Sequence, residues 1–442
     1  MKIHFLGIGG IGNSALARYY LKKGYQVSGC DTQSSLVTSL LKKEGVKIFK
    51  DHSPSHISKQ ISFLVYSNAI PSSNPEILKA KELKIPCKSY PEALGEITKE
   101  YFTIAIAGTH GKGTTCAMLS LILIEAGFDP TVFIGTLLKE FGFSNYREGK
   151  SKYLILEADE YKDAFLNYFP SALIITTIDK DHLDYFKNFK NILKSFKNLI
   201  LKLPQEGILV LNRDDEGIKK LLREKPPFPK NTFICSISQK KEVSLLKKAV
   251  KIPGAHNLSN ALLALTLARA LKIKDDISLL ALSKYQGAWR RFEKKEIKIG
   301  ENKAFIVSDY AHHPREIEAT LNSATEAFEG KKIWVIFQPH QRQRTFLLFR
   351  EFVKVFEKFF KEKKVEKILF DEIFEVAGRE KKSLKISSKD LVLELQKRTK
   401  NFEDILFLPQ KKIIQFLKRV NLKDKVVLVL GAGDIYRLFE KP

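Results

Sequence analysis

Phe102-Thr103-Ile104-Ala105-Ile106-Ala107-Gly108-Thr109-His110-Gly111-Lys112-Gly113-Thr114-Thr115 is an apolar, partly β-branched run that ends in three glycines, a lysine and paired threonines. A helix-like segment, Cys116 to Ala126, follows it. A strand that enters a glycine turn and then a helix N-terminus aims several backbone N–H groups at one spot. Orphan amides and helix dipole both favour negative charge there, so the spot suits a phosphate. Lys112 adds a mobile positive charge for the outer phosphates. The P-loop pattern has glycine where this chain has Ile106, and serine or threonine where it has Gly113. On this stretch alone, a plain strand–turn–helix connection stays open.

Upstream, Ile3-His4-Phe5-Leu6-Gly7-Ile8-Gly9-Gly10-Ile11-Gly12 precedes a helical stretch from Ser14 to Lys22, then Tyr25 to Gly29 and Asp31. Gly7, Gly9 and Gly12 form G-x-G-x-x-G between a strand and a helix, and an acidic residue closes the next strand. This is the dinucleotide fingerprint in its proper context, with Asp31 as an acceptor for a ribose hydroxyl. It does not say which nucleotide, and a nicotinamide or flavin oxidoreductase remains a rival. Phe63 to Tyr66 reads as a further strand, running into a polar turn at Ser67-Asn68.

Downstream, Tyr153-Leu154-Ile155-Leu156 ends in Glu157-Ala158-Asp159-Glu160, and Ala172 to Ile178 ends in Asp179-Lys180-Asp181-His182-Leu183-Asp184. Ligands of doubly wound sheets lie beyond the carboxyl ends of the strands, so these acidic tips are expected in the crevice of Lys112. Carboxylates and an imidazole beside a triphosphate suit magnesium; Asp159 and Asp184 also read as helix caps. Pro253-Gly254-Ala255-His256-Asn257-Leu258-Ser259-Asn260 begins an Ala/Leu helix, whose asparagines serve either an adenine edge or a cap. The last third holds Trp289-Arg290-Arg291-Phe292, Asp309-Tyr310-Ala311-His312-His313, Phe337-Gln338-Pro339-His340 and Leu430-Gly431-Ala432-Gly433. Of nine histidines, His110, His182, His256, His312, His313 and His340 lie at such polar ends.

A chain of 442 residues exceeds one core, and strands alternating with amphipathic helices imply mostly parallel sheets. The expected architecture is α/β with three consecutive domains. Residues 1–98 form a Rossmann-like domain, 99–288 a central P-loop ATPase-like doubly wound sheet, and 289–442 a second Rossmann-like domain. No apolar run reaches the ~18 residues that span a bilayer, and the N-terminus reads as a strand rather than a signal peptide. Cys30, Cys87, Cys116 and Cys235 include no CxxC pair, which favours free thiols of a reducing cytoplasm over disulfides or zinc. The net charge is +25, yet Lys187, Lys190, Lys194, Lys197, Lys361, Lys363 and Lys364 sit among other residues rather than in one basic block. Anionic small substrates are therefore expected, and nucleic acid is not.

These motifs, in this order, resemble the Mur ligase family of peptidoglycan synthesis. Residues 7–12, 107–112, 157–160, 181–184, 256–261, 290–292, 309–314 and 337–340 carry the likeness across nearly the whole chain. The resemblance implies a first domain for a UDP-sugar, a central domain for ATP, and a third that closes over both and helps hold an amino acid. The opening motif favours the member that adds L-alanine to UDP-N-acetylmuramate through an acyl phosphate. The sister ligase, which adds a preformed murein tripeptide, is the alternative.

Carried over by motif, Lys112 contacts the β/γ-phosphates within an ATP loop of Gly108, Thr109, His110, Gly111, Gly113, Thr114 and Thr115. Glu157 and His182 serve two magnesium ions; because Gly113 stands where the family has a magnesium-binding threonine, Thr114 or a water is expected to substitute. Asn257 and Asn260 lie at the adenine, Arg291 reaches the γ-phosphate and Asp309 approaches the ribose. Gly9, Gly10, Ile11, Gly12, Asp31 and Ser67 hold the UDP-sugar, while Tyr310, His312, His340 and Arg344 line the alanine end. The implied protein is a cytoplasmic monomer or weak homodimer. Four positions depart from the family pattern: Gly113 replaces a magnesium-binding threonine, Asn13 a methionine, Thr177 an asparagine, and Gln341 an arginine that Arg342 follows.

Overall fold

Among the described residues, eighteen strands build three sheets, and each sheet follows from the apolar runs that nucleate it. The computed structural model describes residues 1–300, 302–376, 380 and 383–440. They group in two units, one of Met1–Lys180, Tyr185–Lys251 and Leu258–Tyr285, the other of Asp181–Asp184, Ile252–Asn257 and Gln286–Pro442.

In the first unit, β1 (Lys2–Leu6), β2 (Gln26–Cys30), β3 (Lys47–Phe49), β4 (Ile61–Tyr66) and β5 (Cys87–Ser89) form a parallel sheet in the order β3-β2-β1-β4-β5. The order reverses between β1 and β4, where a doubly wound sheet opens its ligand crevice. Leu6 is level with both Cys30 and Tyr66, so the next residues along, Gly7, Asp31 and Ser67, meet at one edge.

The same unit holds β6 (Phe102–Ala107), β7 (Thr131–Leu138), β8 (Ser144–Arg147), β9 (Tyr153–Ala158), β10 (Ala172–Ile175), β11 (Ile208–Asn212) and β12 (Asn231–Cys235). Their order is β12-β11-β10-β6-β9-β7-β8, and only β7 and β8 pair antiparallel. Ile104, Ala105, Ile106 and Ala107 of β6 are wholly buried, as a central strand covered on both faces requires. Ala107 is level with Ala158 on one side and Ile175 on the other. That register gathers Gly108, Glu157, Asp159 and Thr176 at a single sheet edge. The helix Lys112–Glu125 that leaves this edge buries Gly113 through Ser120, then Ile122 and Leu123. A helix that is apolar on all sides belongs inside the fold.

In the second unit, β13 (Glu293–Ile299), β14 (Asn302–Asp309), β15 (Lys332–Phe337), β16 (Lys367–Phe370), β17 (Ile405–Phe407) and β18 (Lys425–Leu430) run β13-β14-β18-β15-β16-β17. Among the described residues of this sheet, β13 with β14 is the antiparallel pair. Leu430 is level with Asp309 and Phe337, which puts Tyr310, Gly431 and Gln338 side by side. The α/β class and the parallel-dominated sheets agree with the sequence reading. Among the described residues, no helix is long and apolar enough to cross a membrane.

Candidate active site

Gly108 and Gly111 take φ of +133° and +83°, a backbone region that side chains avoid. A Cβ at Gly108 would stand 2.1 Å from Thr176 Oγ1, so this turn admits only glycine. Thr177 Oγ1 accepts from the His110 N–H at 2.9 Å, and Thr176 Oγ1 donates to the His110 carbonyl. These neighbouring hydroxyls clamp the loop from the next strand end. His110 Nε2 lies 3.2 Å from Asp179 Oδ2.

Lys112 opens the helix, with Nζ 2.8 Å from Glu160 Oε2, 2.5 Å from the Gly108 carbonyl and 3.9 Å from Asp159 Oδ1. Burial opposes its charge, but Glu160, Asp159 and Glu157 outweigh that and raise the pKa above the usual lysine value. Lys112 is therefore a fixed cation at the mouth of the loop. Thr114 is 7 % exposed, and Thr115 is fully buried with a hydroxyl that lacks a hydrogen-bond partner.

Glu157 Oε2 accepts from the Gly135 N–H at 2.8 Å. A Cβ on Gly113 would stand 3.2 Å from the same oxygen. A hydroxyl-bearing side chain at position 113 would thus sit against Glu157. One carboxylate among hard oxygen donors beside a phosphate loop fits magnesium. Asn260 meets the loop from another helix, its Oδ1 2.5 Å from where a Gly111 Cβ would stand.

At the edge of the first sheet, Asp31 Oδ2 accepts from the Gly9 N–H at 2.9 Å, tying the acidic residue to the Gly9-Gly10-Ile11-Gly12 turn. Asn13 Nδ2 donates to the Leu6 and Gly7 carbonyls at 2.9 and 3.2 Å, a hold on this turn that a thioether lacks. Ser67 lies across from Gly7, its Cβ 3.3 Å from where a Gly7 Cβ would be.

In the second unit, Arg344 is paired with Asp181 at 3.0 Å and reaches His340 Nδ1 at 2.9 Å. Burial would raise the Asp181 pKa, but Arg344 and the nearby His182, His313 and His312 hold it well below the usual carboxylate range. His182 adopts φ +52°, its Nε2 3.8 Å from Asp181 Oδ2. His340 stacks on Phe374 with a centroid distance of 5.6 Å.

His312 Nδ1 lies 3.0 Å from the Tyr310 carbonyl, which assigns the proton to Nδ1. Burial lowers its pKa to about 4, against the opposing pull of Glu316, so the ring is neutral near pH 7. Both Asp309 oxygens accept backbone N–H groups, from Phe292 at 2.7 Å and Ala311 at 2.8 Å. Arg291 lies 5.1 Å from the Tyr310 ring centroid. Asn257 Nδ2 donates to the Pro253 carbonyl at 2.6 Å.

Several contributors did not stand out in the sequence. Glu160 rather than Glu157 pairs with Lys112, and Asp181 pairs with Arg344. Arg290, not singled out beside Arg291, is buried between Tyr436 and Tyr310 at 4.1 and 4.8 Å. Their signal was present as acidic strand tips and a doubled arginine, but which charge meets which depends on register. Arg342 bonds Glu375 at 2.6 Å and the Ile386 carbonyl at 2.6 Å, so it and Arg344 have different partners.

Three family models match in order: the catalytic domain of the Mur ligase family over residues 2–102, the Mur ligase middle domain over 106–268, and the Mur ligase glutamate ligase domain over 290–433. The UDP-N-acetylmuramate–L-alanine ligase of Acetivibrio thermocellus is 38% identical, over 99% of this chain and 94% of its own. The crystal structure of the UDP-N-acetylmuramate-alanine ligase of Thermotoga maritima superposes with a TM-score of 0.79 at 27% identity, covering 99% of this chain and 97% of that one. A murein peptide ligase from Psychrobacter arcticus shares the fold at a TM-score of 0.69 and 22% identity, with 99% and 97% covered. With its three sheets, its glycine turns and these end-to-end matches, the chain belongs to the Mur ligase family.

Proposed function

We propose that this chain is an ATP-dependent amide ligase that joins L-alanine to the lactyl carboxylate of UDP-N-acetylmuramate in peptidoglycan precursor synthesis. The observation that carries the reading is the cationic loop Gly108–Thr115, with Lys112 at its mouth and Glu157 beside Gly113. The 38% identity to a ligase named for that reaction supports the choice of substrates.

The lactyl carboxylate attacks the γ-phosphorus of ATP, ADP leaves, and an acyl phosphate forms. The neutral amine of alanine then attacks the acyl carbon. The tetrahedral adduct expels phosphate, which carries away the amine proton. The first step brings two anions together, so the site must supply positive charge. Lys112 and the N–H groups of the loop screen the β- and γ-phosphates, and Arg291 contributes at the γ-phosphate. Glu157, His182 and Thr114 would hold magnesium. When bound, the ions neutralise phosphate charge and orient the transferring group.

Asn257 and Asn260 bound the adenine, and Asp309 the ribose. Gly9, Gly10, Ile11, Gly12, Asp31 and Ser67 cradle the UDP moiety. Tyr310, His312, His340 and Arg344 receive alanine, whose carboxylate calls for a cation such as Arg344. The neutral His312 ring accepts a hydrogen bond from the incoming amine through Nε2. The reading keeps a monomer or weak homodimer, and nucleotide substrates make the cytoplasm its place of work.

Phosphate release from ATP and magnesium with UDP-N-acetylmuramate, assayed with L-alanine, glycine, L-serine or murein tripeptide, tests the reading. Release dependent on L-alanine is the expected outcome. Release with tripeptide alone would assign the chain to the sister ligase, and absence of release with every acceptor would end the ligase reading.

A further inference from the structure

The strand-end pattern leaves out three of the nine histidines: His4, His52 and His56. All three converge on Glu76, whose side chain is fully buried, as is His4. His4 comes from the middle of β1, Cys30 from the end of β2, and Glu76 from the first turn of the helix Pro75–Glu82. Cys30 Sγ lies 2.9 Å from Glu76 Oε2 and 3.0 Å from His52 Nδ1, and His52 Nδ1 lies 2.8 Å from the same carboxylate oxygen. His56 Nδ1 holds the other oxygen at 2.7 Å.

One nitrogen stands outside this network. His4 Nδ1 is 2.9 Å from Ser28 Oγ, and the Ser28 hydroxyl itself donates to the Ile3 carbonyl at 3.5 Å. With the ring proton on Nδ1, the serine accepts from His4 and Nε2 turns a lone pair toward Glu76. That atom is buried, has no hydrogen-bond partner, and lies 3.4 Å from Glu76 Oε1. Two acceptors facing each other in a dry interior repel, and a buried polar atom without a partner is costly. A cation between them removes both penalties.

The geometry points to a binding site for a zinc-like divalent transition ion, held by His4 Nε2, Cys30 Sγ, Glu76 and His52 Nδ1. The atoms of His4, Cys30 and Glu76 already lie within 4.8 Å of one another. Thiolate, imidazole and carboxylate in a four-ligand set select zinc-like ions over magnesium. Ser28 fixes the His4 tautomer and His56 orients the carboxylate, the outer support that metal sites use. The His52 side chain is 21% exposed and offers the way in.

Binding shifts the His52 proton from Nδ1 to Nε2 and expels the Cys30 thiol proton to water, one proton per ion. The site is independent of the ATP loop. It lies directly behind the glycine turn, because the Cys30 carbonyl accepts from the Gly7 and Ile8 N–H groups at 2.9 and 3.1 Å.

The test is a Co2+ titration of the chelator-stripped full chain without nucleotide, followed by absorption and by displacement with Zn2+. One equivalent of cobalt giving a thiolate-to-metal charge-transfer band, bleached by zinc, is expected. Cys30→Ser should abolish that band, and Cys116→Ala should retain it. His4→Gln keeps the thiol and should weaken cobalt binding at least ~10-fold. Absence of the band in the folded wild type, its persistence in Cys30→Ser, or unchanged affinity in His4→Gln would each overturn the site.

Discussion

Lys112 faces Glu160 at 2.8 Å, and a phosphate entering the loop competes with that carboxylate for the same ammonium. Lys112→Ala should lower kcat/KM on the order of 10²–10³-fold with the fold intact, measured as phosphate release. Gly113 is the most informative departure from the family pattern. Restoring the hydroxyl with Gly113→Thr sets it against Glu157 and should lower the magnesium concentration for half-maximal rate severalfold; an unchanged titration would exclude any role for that vacant side chain. His312 gives a pH signature. Its pKa is about 4 in the fold against ~6.5 when exposed, so the unfolded chain takes up the proton first as pH falls. Its contribution to stability is full above pH ~6.5 and disappears as pH falls toward 4. His312→Gln should flatten the melting temperature across that window, and an unaltered slope would contradict the neutral buried ring. At this scale the sequence spoke clearly for Lys112, which has a motif around it. It was silent on Arg290, because which of two adjacent arginines turns inward depends on the φ of +56° at Arg290.

The elements that could be read in advance were those with one physical cause. β6, β9 and β10 are continuous apolar runs because parallel strands are covered on both faces, and glycines mark their ends. The strands that gave little signal lie at sheet edges. β13 alternates half-buried and exposed residues through Glu293-Lys294-Lys295-Glu296, and β8 is four residues long. Neither composition separates an edge strand from a loop. β8 nevertheless carries Asn145, which is wholly buried. Its Nδ2 donates to the Ile11 carbonyl and to Ser14 Oγ at 2.9 Å, and its Oδ1 accepts from Arg18. The helix Ile11–Lys22 is thus tied to the second sheet by one side chain. Asn145→Ala takes a partner from the buried Arg18 donor and from the Ile11 and Ser14 acceptors and should cost about 1–3 kcal/mol, checked by urea unfolding. A cost near zero would mean that water replaces the amide. The helix Tyr90–Thr98 is fitted as closely, since a Cβ at Gly95 would stand 2.4 Å from the Asn167 carbonyl oxygen.

Across the whole molecule, a net charge of +25 and substrates that are all anions or zwitterions belong together. Raising ionic strength from about 0.05 to 0.5 M shortens the range of that field and should raise KM for ATP severalfold while kcat changes little. A KM indifferent to salt would make the charge a matter of composition alone. The order of motifs along the chain carried most of the functional reading, because each motif closes a strand and strand registers bring such ends level. The cluster of His4, Cys30, His52, His56 and Glu76 was invisible for the opposite reason: its members are scattered over the first 76 residues and meet only when β1, β2 and the helix Pro75–Glu82 assemble. The central claim is that the lactyl carboxylate is activated by phosphorylation. The measurement that addresses it directly is ligation with UDP-N-acetylmuramate labelled with oxygen-18 in that carboxylate, followed by mass analysis of the released phosphate. One labelled oxygen in each phosphate, formed only when L-alanine is present, is the expected result, and unlabelled phosphate would contradict the acyl-phosphate route.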